Sequence, residues 1–580
     1  MSLFEYKSGD GIGKVESVDT ASVLIKVTDG TRLRGLQVNH LVAIRSSKAG
    51  QHLVGMISKI MRKAMAALPD GEGAEEIPEG AVAVENLVRV LLIGTLVDLV
   101  GKEANVFRRT LETVPEIDAE CFVIEGEHLT GFMQAISKSS KDGIRPLSLG
   151  HYTLDEAAEA WLDGNRFFQR HAVIVGSTGT GKSWTVARII EQVAALPNAN
   201  AILFDIHGEY SPITGEGIQH LKIAGPGDLG GKKGLDEGIV FLPYWLLTYE
   251  EMLAMLLDRS DQNAPNQAML FSREVTEAKR QQLEKEKRAD VLANFTIDSP
   301  VPYVLQDVFA QLTTLDTQMV DGARTEKQGP FYGKLTRFIQ RLDAKRADRR
   351  LGFLFGAPED TMSYDWFPKL CRQLLGGSRQ QKNGGVKIID FSEVPSDILP
   401  LILGLVTRTV FSVQQWVHKK DLHPIAILCD EAHLYIPERL SADAATELGF
   451  RSFERVAKEG RKYGVGLIVI SQRPAEVNKT VLSQCNNFVA MRLTNAEDQA
   501  AIRRLLPDSL GGIADVLPVL DTGEALVVGD ASLLPSRIRV TPPTKKPASG
   551  TVPFWDEWGT KDESEGIVAA VEALRKQTRA

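Results

Sequence analysis

The chain has 580 residues, 43% apolar and 24% charged, with 67 Lys and Arg against 75 Asp and Glu for a net charge of −8. That length calls for roughly three or four folding units in place of one core, and the composition excludes wholesale disorder. The acidic balance excludes a general electrostatic sponge for nucleic acid, so any contact with DNA has to be local, as in a lined channel.

The opening "MSLFEYKSGDG" lacks the basic stretch and apolar core of a secretory signal. The longest apolar runs, "NLVRVLLIGTLVDLVG" and "LPLILGLVTRTVFSV", are broken by Arg or Asp and too short to span a bilayer. A cytoplasmic protein without a membrane segment is expected. Cys121, Cys371, Cys429 and Cys485 stand far apart with no C-x-x-C pair, which suits isolated buried thiols better than disulfides or a zinc site.

Residues 1–145 read as short alternating strands ("GIGKVESV", "SVLIKVTDG", "HLVAIRSS", "HLVGMISKI", "VRVLLIGTLVDLVG", "ECFVIEGEHL") that predict a small β-barrel, with the acidic "PDGEGAEEIPEG" as a loop. From 146 apolar strands alternate with amphipathic helices: "HAVIVG", "AILFDI", "GIVFLP", "VKIIDFS", "IAILCD", "GLIVISQ", "NFVAMRL" and "EALVVGD". That alternation predicts an α/β core on a mostly parallel sheet, in two parts, 146–244 and 381–542. Between them 245–380 reads as a helical insertion, in which "SREVTEAKRQQLEKEKRADVLANF" has too few apolar residues for a core helix and suits an exposed one. The charges of "RFIQRLDAKRADRR" (Arg341, Lys345, Arg346, Arg349, Arg350) point in several directions on a helix, which argues against a DNA-binding stripe. Residues 543–580 read as a Pro-rich linker and an arm with a short amphipathic segment.

The strand "AVIV" feeds directly into Gly176, Ser177, Thr178, Gly179, Thr180, Gly181, Lys182 and Ser183, which fit G-x-x-x-x-G-K-[ST]. In such a loop the glycines let backbone N–H groups curl around phosphate oxygens at a helix N-terminus. Lys182 is expected to reach the β and γ phosphates of ATP, and Ser183 to ligate Mg²⁺. A second apolar strand, "IAILC", ends in Asp430, placed to hold the Mg²⁺ hydration shell, and Glu431, placed to deprotonate an attacking water. A third ends in Ser471 and Gln472; Gln472 is the candidate γ-phosphate sensor. Arg455 or Arg461, on a basic helix closed by Gly464, is the candidate arginine that completes a neighbour's site, and Arg170 stands just before the first strand.

The motifs "NRFFQRHAVIVGSTGTGKS", "FDIHGEY", "CDEAHLYIP", "EGRKYGVGLIVISQRPAEVNKTVLSQCNNFVAMRLTN" and "DTGEALVVGD" with "SRIRV" together resemble the HerA family of hexameric DNA translocases, in the wider HerA/FtsK superfamily. The resemblance implies a RecA-like motor behind an N-terminal barrel, a homo-hexameric ring, and double-stranded DNA in the central channel. It implies catalytic roles for Lys182, Glu431 and Gln472, matches Arg170 to a family arginine, and makes Arg455 or Arg461 the trans-acting finger. It also implies a nuclease, typically of the NurA type, or a sirtuin-like effector docked on the barrel face, in DNA end processing or anti-phage defence. The "PFWDEW" tail is similar to an arm that latches onto the next subunit. The alternative function is an ATPase ring that scaffolds and licenses an effector without processive translocation.

Overall fold

The computed structural model describes residues 3–7, 9–19, 22–64, 84–101, 103–137, 146–153, 155–231, 233–321, 325–377, 384–439, 444–506, 508–532, 534–560 and 566–578. The expected acidic loop "PDGEGAEEIPEG" lies outside them. The chain divides into two units, the first of residues 1–189, 472–475 and 485–542, the second of 190–471, 476–484 and 543–580.

In the first unit the strands Gly13–Asp19, Ser22–Lys26, Leu41–Arg45, Gln51–Ala64, Val84–Val100 and Glu120–Val123 form one antiparallel sheet. Pairing of Ser22–Lys26 with Val84–Val100 closes it on itself, which makes the barrel read from the sequence. Alternation does the work: Val23 and Ile25 of one strand and Val88, Val90 and Leu92 of its partner point inward onto Val42, Ile44 and Leu53. A seventh strand, Glu103–Arg108, pairs beyond the ring on the far half of Val84–Val100. Closure removes the open edges that a sheet of this length would otherwise present.

The rest of this unit is a run of six strands in the order Ala172–Val175, Asn487–Ala490, Glu524–Gly529, Ser536–Val540, Leu147–Tyr152 and Asp155–Leu162. Only the first pair is parallel; the other four pairings are antiparallel. The second unit holds Ile239–Val240, Ile218–Ile223, Gly385–Asp390, Asn200–Asp205, Ile425–Cys429 and Val465–Ser471 in that order, every neighbouring pair parallel. The central strands are buried on both faces, as their continuous apolar runs require. Each fully buried Leu, Ile or Phe there is worth about 1.5–3 kcal/mol relative to exposure. The helices Leu399–Trp416 and Ala444–Glu459 pass so close that a Cβ on Gly404 would meet the backbone of Gly449.

The charged helix of the insertion departs from expectation. Ala264–Lys285 is no exposed excursion: Gln267, Leu270, Phe271, Val275, Lys279 and Leu283 make a buried face at helical spacing, with Phe271 tilted against Phe338. Lys279 hid that face from a hydropathy reading; its Nζ donates to the carbonyls of Ile297 and Ser299, at 2.6 and 2.7 Å, and burial lowers its pKa to about 8. The basic tract is dispersed over separate partners: Arg341 pairs with Asp258, Arg346 with Gln306 and the Phe309 ring, and Arg350 with Asp348. The four cysteines are free thiols, and burial pushes Cys371 and Cys485 up to about 12. Among the described residues no helix is long and apolar enough to cross a membrane.

Candidate nucleotide site

The phosphate loop is in the first unit. The buried strand Ala172–Val175 delivers Gly176, and the helix Lys182–Ala194 begins at the other end of the loop. Gly179 and Gly181 have φ of +75° and +104°, which L side chains rarely adopt, and Gly181 also lies against Met491. The loop is pinned by its frame: Ser177 N–H donates to the Arg492 carbonyl at 2.9 Å, Thr180 Oγ1 to the Ser177 carbonyl at 2.8 Å, and Gly523 N–H to the Thr180 carbonyl at 2.9 Å. Its N–H groups therefore curl inward at a helix N-terminus, a cradle for an anion. Lys182 is the first helical residue and is buried; Ser183 follows, half-buried. Thr178 and Gly179 are the exposed tip. The structure brings Gln472 to that tip, where Thr178 Oγ1 donates to Gln472 Oε1 at 2.6 Å.

The acids are in the second unit. Ile425–Cys429 is wholly buried and ends in Asp430 and Glu431, each 4% exposed. Glu431 has a φ of +46°, a left-handed conformation uncommon for a side chain of this size and concentrated at functional sites. The geometry is held from both sides: Glu431 N–H donates to Asp430 Oδ1 at 3.0 Å, and the buried Tyr435 hydroxyl donates to the Asp430 carbonyl at 2.7 Å. His433 Nδ1 lies 3.3 Å from Glu431 Oε2 and 3.3 Å from Ser471 Oγ.

Two neighbouring parallel strands end in acids as well. Asp205 is in register with Asp390, and Phe204 with Cys429, so Asp205, Asp390 and Asp430 stand at three adjacent strand ends. Desolvation raises the Asp205 pKa to about 6, with Asp390 and Asp430 adding to the rise, while N–H donation from Tyr210 and Glu209 opposes it. Carboxylate and hydroxyl oxygens suit a hard cation such as Mg²⁺, and the mutual repulsion of these acids is what a divalent charge would relieve. No group of three or more His, Cys, Asp or Glu side chains converges as a cage among the described residues.

The arginines differ in environment. Arg455 is stacked on Phe411, 5.1 Å from the ring centroid, and its Nη2 lies 3.3 Å from Gln415. Arg461, in the turn Gly460–Tyr463, is exposed and makes no ion pair among the described residues. Arg170 precedes the strand whose far end feeds the loop, and its guanidinium pairs with Asp530, which Arg109 of the barrel also approaches at 3.6 Å. Sequence reasoning passed over His433 and Asp390 and gave Asp205 no role of its own. The signal for both aspartates was available, because "AILFD" and "VKIID" repeat the pattern of an apolar strand ended by an acid.

Residues 147–410 match the family described as "Helicase HerA, central domain". The match covers less than half of the chain. The chain is a P-loop ATPase with an α/β core. The HerA match takes in the phosphate loop and Asp205 and ends before Asp430. The DNA double-strand break repair helicase HerA of Pyrococcus furiosus is 24% identical over 432 residues, covering 69% of each chain. The protein of that name from Sulfolobus acidocaldarius is 26% identical over 405 residues, covering 68% of this chain and 70% of its own. Among solved structures, VirB4 of Thermoanaerobacter pseudethanolicus is 17% identical with a TM-score of 0.42, covering 71% of this chain and 98% of its own. The plasmid coupling protein TrwB in complex with ADP and Mg²⁺ is 12% identical with a TM-score of 0.43, covering 72% and 94%.

Proposed function

We propose that the protein is an ATP-driven helicase or translocase acting on double-stranded DNA, as a homo-hexameric ring with DNA in its central channel. The observation that carries this reading is the loop itself: left-handed Gly179 and Gly181 ahead of a buried Lys182, inside a HerA central domain. The curled N–H groups bind phosphate oxygens, Lys182 neutralises charge on the β and γ phosphates, and Ser183 and Asp430 are the residues that would hold Mg²⁺. When bound, Mg²⁺ supplies Lewis-acid neutralisation of the developing phosphate charge. Glu431 takes the proton from the attacking water, and Gln472, hydrogen-bonded to the loop tip through Thr178, senses the γ-phosphate.

Of the two interface candidates, Arg461, which makes no ion pair among the described residues, is the better finger, because Arg455 is already occupied by Phe411 and Gln415. Replacing Arg461 by Ala is expected to slow hydrolysis on the order of 10³-fold, and replacing Arg455 to leave it nearly unchanged. Arg170 stands two residues before a strand of four residues, about 13 Å long at ~3.3 Å per residue, whose other end carries the loop. Its place in this proposal is therefore at a subunit boundary. The barrel is assigned the docking of a nuclease or sirtuin-like effector, for end processing or defence in the cytoplasm. The C-terminal arm, with Trp555 and Trp558 84% and 73% exposed, is assigned the grip on the next subunit.

The test is displacement of a third strand from a triplex-bearing duplex. Release that requires ATP and fails with Glu431→Gln supports translocation. ATP consumption indifferent to duplex, with a Glu431→Gln ring that still supports its effector, would replace it with the scaffold reading.

A further inference from the structure

Nothing in the proposed chemistry uses His433, yet this side chain is where the hydrolytic acid meets the neighbouring strand. It lies two residues past Glu431, in the short turn Ala432–Leu434, and its side chain is only 15% exposed. Its Nδ1 is 3.3 Å from Glu431 Oε2 and 3.3 Å from Ser471 Oγ, with Ser471 fully buried at the end of Val465–Ser471. The Ser471 contact is a hydrogen bond near its long limit, while the approach to Glu431 Oε2 is within ion-pair distance without hydrogen-bond geometry, so a rotation of the ring exchanges one partner for the other.

The chemistry of the three groups makes that selection meaningful. A carboxylate only accepts, a hydroxyl both donates and accepts, and Nδ1 carries a proton in one neutral tautomer and a lone pair in the other. With the proton on Nδ1, the ring donates to Glu431 and fixes its carboxylate. With the lone pair there, the Ser471 hydroxyl donates to the ring and Glu431 is let go. Glu431 needs such a holder, because its left-handed backbone sets where the side chain starts but not where the carboxylate ends. Ser471 is also the residue before Gln472, whose side chain accepts from Thr178 of the phosphate loop.

We infer that His433 is a positioning residue that holds the Glu431 carboxylate for proton abstraction and, by exchanging it for Ser471, links the acid to the strand end that carries Gln472. The inference rests on Glu431 being the base of the proposed ATPase.

The experiment compares His433→Ala, His433→Asn and Glu431→Gln in the full chain, measuring kcat and KM for ATP, the dissociation constant of a fluorescent ATP analogue, and melting temperature. Loss of an orienting partner typically costs 10–100-fold, so His433→Ala is expected to lower kcat by at least about tenfold. Analogue affinity should stay within about twofold, since the residue touches the base and not the phosphate loop. His433→Asn, whose amide can donate from nearly the Nδ1 position, is expected to recover at least about a third of the wild-type rate. Should His433→Ala unfold, the rates of His433→Asn and His433→Leu decide, since a merely space-filling role would not separate Asn from the similarly sized Leu. A kcat for His433→Ala within twofold of wild type, or equal rates for Asn and Leu, overturns the inference. A Glu431→Gln protein that hydrolyses at the wild-type rate would instead overturn the reading beneath it.

Discussion

The phosphate loop and the acid-ended strands handle opposite charges with opposite materials. The loop is made of backbone: its conformation comes from Gly179 and Gly181, and its frame is a set of main-chain hydrogen bonds to Arg492, Ser177 and Gly523. The strand ends of the second unit are made of side chains: Asp205, Asp390, Asp430 and Glu431 are brought together by parallel register and burial. Backbone dipoles that suit an anion cannot titrate, whereas clustered carboxylates that suit a cation repel one another. The two regions should therefore fail in different ways.

The largest effect is expected from the side-chain region. Glu431→Gln keeps shape and removes the proposed base, so kcat should fall by about 10²–10⁴-fold while ATP-analogue affinity holds within a few fold; equal loss of both in stopped-flow and equilibrium titration would erase the distinction. Next comes pH. The folded pKa of Asp205, about 6, lies above the ordinary 3.8, so the folded state binds the extra proton. Its stabilising contribution is full below about pH 4 and is lost as pH rises through about 6. Metal-free wild type should lose up to about 3 kcal/mol relative to Asp205→Asn between pH 4 and pH 7. Urea unfolding at the two pH values checks this, and a pH-independent difference contradicts it.

A smaller effect is expected when the backbone region is broken. Gly181→Ala forces a Cβ into a φ of +104° and against Met491. That costs about 1–3 kcal/mol, seen as weaker analogue binding that does not vary between pH 5 and 8. The smallest belongs to a residue outside both regions: Arg455→Ala should lose about 0.5–1 kcal/mol from its stacking on Phe411, read as a slightly lower melting temperature with hydrolysis intact.

The same contrast explains what could be read from the chain. Eight apolar runs from "HAVIVG" to "EALVVGD" are strands, because a strand buried on both faces writes itself as a continuous apolar stretch. The barrel strands were legible through alternation, as in Val23 and Ile25. The hairpin Leu147–Tyr152 and Asp155–Leu162 was not, since "LSLGHY" and "DEAAEAWL" mix small and charged residues and owe their strand state to pairing with each other and with Ser536–Val540. Beyond its first pair the strand run of the first unit is antiparallel, while the strands of the second unit are parallel as the alternation of strands and helices predicts. At the candidate site, fixed spacing pointed to Gly176–Ser183, and an apolar run pointed to Asp430 and Glu431. His433 could not be found that way, because its meeting with Ser471 spans 38 positions and exists only through parallel register.

The most direct measurement is steady-state ATP hydrolysis by the full-length protein and its Lys182→Ala variant, each with and without linear duplex DNA. Wild type should hydrolyse ATP and accelerate several-fold on duplex, with Lys182→Ala on the order of 10²–10³-fold slower in both conditions. Undiminished hydrolysis by Lys182→Ala, or a wild-type rate that ignores the duplex, would contradict a DNA-coupled ATPase working through this loop.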